Sequence, residues 1–183
     1  MNEPNWQNCS EGELWKYVAT HLKKNGISTV LVGGAVVSIY SEGAYRSGDL
    51  DFVLESLFAH KLPALMKQIG FEVQKGRHYK HPLCQHLFVE FAAPPPGIGD
   101  DLNIVPHEIE SDGVTIKIYS PTDCIRDRLS SYIYYKATEC LDQAVLVAKT
   151  HPFNLQKVEA WCQAEGASNA YDDFVDRLKT PVR

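Results

Sequence analysis

Two short patterns in this chain carry chemistry before any element is assigned. Asp49 and Asp51 alternate in the stretch Arg46-Ser47-Gly48-Asp49-Leu50-Asp51-Phe52. Alternate side chains of a strand share a face, so the two carboxylates would lie about 6.6 Å apart on one side, with Leu50 and Phe52 on the other. Such a pair repels itself unless a cation lies between, and divalent cations take oxygen ligands of this kind. Read alone, the pattern describes equally two solvated aspartates on a polar edge strand. The second pattern is Gly33-Gly34, directly after the β-branched run Ile27 to Val32. A strand that turns through two glycines into a helix presents bare backbone N–H groups and the positive helix end to an anion, a seat for phosphate. It describes equally a tight turn packed on a sheet. The dinucleotide fingerprint Gly-x-Gly-x-x-Gly and the Walker loop's Gly-Lys-Ser/Thr are both missing from the sequence.

These residues need elements to position them. Ser10 and Glu13 have capping-box spacing, and Leu14, Tyr17, Val18, His21 and Leu22 recur at helical intervals until Asn25-Gly26. Residues 27–32 read as a strand, the segment to Gly43 as about two helical turns, and 49–55 as the next strand. A helix is expected over 58–70, strands over 71–76 and 84–93, and a hairpin over 107–120 turned by Ser111-Asp112-Gly113. From Ser120 the pattern becomes helical only. Ser120 caps a helix with Pro121 at its first position, 138–149 follows, Asn154 caps the next helix, and Tyr171, Phe174, Val175 and Leu178 stripe the last. The expectation is an α+β fold, a mixed sheet with flanking helices over 1–119 followed by a C-terminal helical bundle over 120–183.

Composition narrows the function classes. A chain of 183 residues, 44% hydrophobic, can close one sizeable core, and its net charge of −5 argues against a broad nucleic-acid surface. The five cysteines are scattered and never form Cys-x-x-Cys, which suits a reducing cytoplasm better than a disulfide framework. No apolar run approaches the ~20 residues of a membrane helix, so no membrane partner is expected. The stretch Gln74 to His86 holds Lys75, Arg77, Lys80 and three histidines around Tyr79. It suits an acceptor nucleic acid or a solvated hairpin tip equally. His78, His81, Cys84 and His86 are zinc-type ligands, but strand alternation would divide them between two faces and a loop.

The segments Val32-Gly33-Gly34-Ala35-Val36-Val37, Arg46 to Leu54 and Leu87-Phe88-Val89-Glu90-Phe91 together resemble the signature of the DNA polymerase β-type nucleotidyltransferase superfamily. In that superfamily a strand ends in Gly-Gly or Gly-Ser, a short helix follows, and the next strand carries Asp-x-Asp. A third acidic residue stands on a later strand. The resemblance spans roughly residues 27–150 and is most similar to the minimal bacterial form among abortive-infection toxins. Arg46-Ser47 before Asp-x-Asp and the Ser120-Pro121 turn carry that finer likeness. It departs in Arg128-Leu129, where those toxins carry Lys-Leu, and in an acidic stretch matched only by Glu139 and Asp142. The resemblance implies catalytic and metal-binding roles for Asp49, Asp51 and Glu90, with Mg2+ or Mn2+ as cofactor. It implies nucleotide-binding roles for Gly33, Gly34, Arg46, Ser47 and Arg128. Arg128 also reads as a helix-surface arginine paired with Asp127 or Asp123. The implied activity is transfer of a nucleotide from an NTP to a hydroxyl of RNA, protein or a small molecule, with an antitoxin as partner. The alternative is a catalytically silent protein of the same fold that serves as a binding partner.

Overall fold

The computed structural model describes residues 2–74 and 76–180, so Lys75 of the basic stretch lies outside the described residues. The chain opens with α1 (Glu11–Lys24), whose N-terminus is closed by the reciprocal Ser10–Glu13 capping box. Strand β1 (Thr29–Val32) leads through Gly33 into the two-turn helix α2 (Gly34–Tyr40). Strand β2 (Asp49–Leu54) follows, then α3 (Leu62–Gln68). Two short strands, β3 (Glu72–Val73) and β4 (His78–Lys80), form a hairpin, and β5 (Phe88–Ala92) lies beside it. The hairpin β6 (His107–Ser111) and β7 (Val114–Ile118) completes the sheet. Four helices end the chain: α4 (Pro121–Tyr135), α5 (Thr138–Thr150), α6 (Leu155–Ala164) and α7 (Ser168–Lys179).

The seven strands make one mixed sheet in the order β3-β4-β5-β2-β1-β7-β6. The central pair β1–β2 is antiparallel, while β5 and β7 run parallel to β2 and β1 respectively. Leu50, Phe52, Tyr79, Val89 and Phe91 fill one face of the sheet, where Phe52 stacks on Phe91 with ring centres 5.4 Å apart. Alternation turns Asp49, Asp51, His78 and Glu90 to the other face. The terminal helices join this layer through α2, which packs against both α4 and α5. Tyr40 at the end of α2 donates a hydrogen bond to the Tyr119 carbonyl (2.7 Å), tying α2 to the link before α4.

Two sequence expectations need correction. The helix expected over 58–70 begins only at Leu62, because Pro63 suits a first helical turn and not an interior. The strand expected over 84–93 begins at Phe88, and residues 84–87 form a loop before it. That shorter strand releases Cys84 and His86 from alternation.

Candidate active site

The carboxylate face is set by register. Asp51 stands opposite Val32 on β1 and opposite Glu90 on β5, and Asp49 stands opposite Phe88. Paired residues of neighbouring strands project to the same side, so Asp49, Asp51 and Glu90 share one face from two adjacent parallel strands. The turn Gly33-Gly34 lies directly against them. Gly33 has φ 78°, and a Cβ there would stand 2.3 Å from Asp51 Oδ2. Both the left-handed backbone and the close approach demand glycine. A Cβ on Gly34 would fall 2.9 Å from Ser47 Oγ, so the second glycine is also dictated by the site.

Ser47 donates a hydrogen bond to Asp49 Oδ1 (2.8 Å), and its own backbone N–H donates to Glu11 Oε1 (2.8 Å). Arg46 Nε lies 3.2 Å from the same Glu11 oxygen, with its side chain 55% exposed, so Arg46 braces the loop from outside. Glu11 is buried at the start of α1 and orients the loop entering β2. In the sequence it reads only as a first-turn acid that suits the helix dipole. Its function as a brace depends on a contact far along the chain.

Electrostatically the face is only partly compensated. Burial, then the charges of Asp49 and Glu90, raise the Asp51 carboxyl from 3.8 to about 6. Arg128 on α4 opposes this rise, and Asp127 adds to it. The Arg128 guanidinium is largely buried, with Nη2 2.6 Å from Asp127 Oδ2 and Nη1 3.4 Å from Gln143 Oε1. The local pairing with Asp127 and the influence on the carboxylate face therefore coexist in one residue. Asp142, by contrast, pairs with Arg177 of α7 at 2.7 Å, while its neighbour Gln143 meets Arg128.

Glu90 has a partner that residue spacing leaves unassigned. His78 on β4 is its direct register neighbour, with Nε2 3.4 Å from Glu90 Oε2 and the ring stacked on Phe88 at 5.6 Å. A cleft of ≈ 640 Å³ lined by Gln74, Gly76, Arg77, His78 and Glu90 opens beside this pair. The only signal for it is the two-residue alternation of a strand too short to recognise without its partner. Among the described residues, Cys9, Cys84 and His86 alone bring three such donor atoms within 4.8 Å of one another. The carboxylate set is looser, since Asp49 is held by Ser47 and Glu90 is drawn to His78. Of the zinc-type residues, His81 departs to stack on Trp6 at 3.7 Å, and His78 goes to Glu90.

Comparison of the whole chain with solved structures decides the fold. A nucleotidyltransferase-like antigenic protein from Paracoccidioides brasiliensis superposes with TM-score 0.60 at 20% identity, covering 90% of this chain and 93% of that one. The antibiotic-resistance factor ANT(2'')-Ia gives TM-score 0.56 at 14% identity, covering 91% and 96%. The fold is that of the nucleotidyltransferases. The lincosamide adenylyltransferase LnuA, solved with lincomycin, agrees at TM-score 0.51 and 14% identity over 79% of this chain and 99% of that one. No family model matches the sequence, and no curated protein matches it. No helix among the described residues is long and apolar enough to cross a membrane.

Proposed function

We propose that this protein transfers a nucleotide from an NTP to an acceptor hydroxyl. The observation that carries the reading is the register of Asp51 with Glu90, with Gly33 held so close to Asp51 that no side chain fits between them. The donor set suits a hard divalent cation, because burial and then the repulsion from Asp49 and Glu90 raise Asp51, and an opposite charge offsets both. Asp49, Asp51 and Glu90 would hold Mg2+ or Mn2+. When bound, such ions supply Lewis-acid stabilisation of phosphoryl oxygens and of departing pyrophosphate.

The chain's own groups do the positioning. In this reading the backbone of Gly33-Gly34 and the Ser47 hydroxyl would line the triphosphate site, with Glu11 holding the Ser47 backbone N–H. Arg128 supplies positive potential from α4, and Arg46 stands at the rim. The acceptor oxygen attacks the α-phosphorus, the bond between α- and β-phosphates breaks, and pyrophosphate leaves as the hydroxyl proton is released. Arg46-Ser47 and the Ser120-Pro121 turn support the finer likeness to the minimal toxin-like form, with residues 120–183 as its helical tail and an antitoxin as partner.

The test is incubation with each labelled NTP and Mg2+ or Mn2+ against total tRNA, cell protein and small polyhydroxyl acceptors. ANT(2'')-Ia is an antibiotic-resistance factor and LnuA a lincosamide antibiotic adenylyltransferase, so antibiotics, lincosamides among them, belong in that last group. Label should move to one class of acceptor and stop in Asp49→Asn. Calorimetry with and without chelator accompanies it. Metal-dependent NTP binding with no transfer to any acceptor would favour the silent binding partner, and absence of NTP binding under all metals would refute both readings.

A further inference from the structure

A second cluster of ligating groups lies where the chain enters α1. Cys9 immediately precedes the capping Ser10, and Cys84 and His86 lie in the loop before β5. Both cysteine side chains are buried, at 1% and 0% exposure, whereas His86 is exposed. His86 Nδ1 stands 3.8 Å from Cys84 Sγ, and the three donor atoms lie within 4.8 Å of one another. Two ligands about 2.3 Å (sulfur) and 2.0–2.1 Å (nitrogen) from a tetrahedral zinc are about 3.6 Å apart, close to the observed separation.

The histidine is oriented for ligation. Its Nε2 lies 2.9 Å from the Cys9 carbonyl oxygen, which can only accept, so Nε2 carries the proton and Nδ1 keeps its lone pair. A backbone carbonyl behind a ligating imidazole is the usual way of fixing its tautomer and direction. We propose that Cys9, Cys84 and His86 bind a thiophilic divalent cation of the zinc class, with a fourth coordination position open toward solvent on the His86 side.

Softness separates this site from the carboxylate face, since thiolate and imidazole favour zinc, and carboxylates favour magnesium or manganese. Loading forms two metal–sulfur bonds and one metal–nitrogen bond and releases the thiol protons to solvent. The consequence is structural. The metal would pin the segment before α1, which carries Glu11, to the loop that feeds β5 and Glu90.

The experiment uses the full chain, reduced and stripped with chelator, titrated with Co2+ and then Zn2+. One cobalt per chain should give thiolate-to-cobalt charge-transfer absorption that zinc displaces, with protons released in weakly buffered solution. Thermal stability should rise with zinc. His86→Ala removes one ligand together with its bond to the Cys9 carbonyl and should weaken binding by about 10-fold or more, while Asp51→Asn should leave the charge-transfer band unchanged. Absence of that band at stoichiometric cobalt overturns the proposal, as does a His86→Ala protein that binds as tightly as the parent. A Cys9–Cys84 disulfide found by mass spectrometry, with no metal uptake after reduction, also overturns it and assigns the pair to redox chemistry.

Discussion

Two groups of acids in this molecule, one buried and one half-buried, are treated in opposite ways. On α4, Asp123 is almost fully buried, yet it receives a hydrogen bond from Ser120 Oγ (2.6 Å), one from Arg126 Nη1 (2.8 Å) and one from Lys157 Nζ (2.9 Å). Burial alone would raise its pKa, but the bonds from Ser120, Lys157 and Arg126 outweigh burial and hold the carboxyl below its usual range. Arg126 in turn pairs with Asp101 and lies over the Trp161 ring at 5.6 Å. On the sheet, burial and then the charges of Asp49 and Glu90 raise Asp51 to about 6. The first arrangement completes its own charges within the fold. The second is offset only in part, by Ser47, His78 and Arg128, and sites kept at a cost in stability are where function is expected.

The same isosteric substitution separates the two regions most sharply. Asp123→Asn should destabilise the protein by about 3–5 kcal/mol, because it leaves Arg126 buried with part of its compensation removed. Urea unfolding measures this, and a loss below about 1 kcal/mol would break the comparison. Asp51→Asn should do the reverse, raising the stability of the metal-free protein by about 1–3 kcal/mol at pH 7, since a tenfold change in proton affinity corresponds to about 1.4 kcal/mol. The same variant should lose any stabilisation by Mg2+. A variant that is destabilised yet still gains from Mg2+ as the parent does would place Asp51 among the structural acids.

The pH profile sharpens the contrast further. Asp51 has a folded pKa raised from 3.8 to about 6, so its contribution is fully present below about 3.8 and is lost as pH rises through about 6. Asp123 has a lowered folded pKa, so its contribution is present above 3.8 and is lost as pH falls below that value. Melting curves of the metal-free protein should therefore decline from pH 5 to pH 7, and that decline should vanish in Asp51→Asn. Acid unfolding should begin at higher pH whenever the Asp123 network is weakened by Lys157→Ala. The smallest effect is expected for Ser47→Ala. It removes one hydrogen bond to Asp49 and should change stability by about 1 kcal/mol or less, with a clear loss of NTP affinity as its main readout.

Local chemistry makes much of the core legible. Capping at Ser10, Ser120 and Asn154, the glycine turn at 33–34 and the alternation around Asp49 and Asp51 are all local rules, and each element forms where those rules operate. Glu90 is reached through resemblance and not through spacing. Its partner His78 is invisible in the sequence, because β4 has three residues and acquires its identity only from pairing with β5. The loop 84–87 reads as strand for the converse reason: its composition suits a strand, but no neighbour pairs with it there.

The sequence by itself determined the order of the longer elements, β4 excepted, the glycine turn and the alternation that puts two aspartates on one side of a strand, since all three depend on neighbours a few residues apart. Only the tertiary structure decided which groups those residues meet. Glu11 reaches Ser47, Arg128 pairs with Asp127 while acting on Asp51, and Cys9 meets Cys84 and His86 across most of the first half of the chain. Each of these contacts depends on strand register and helix docking, which bring side chains together through the burial of a shared core and leave no periodic trace in the residues themselves.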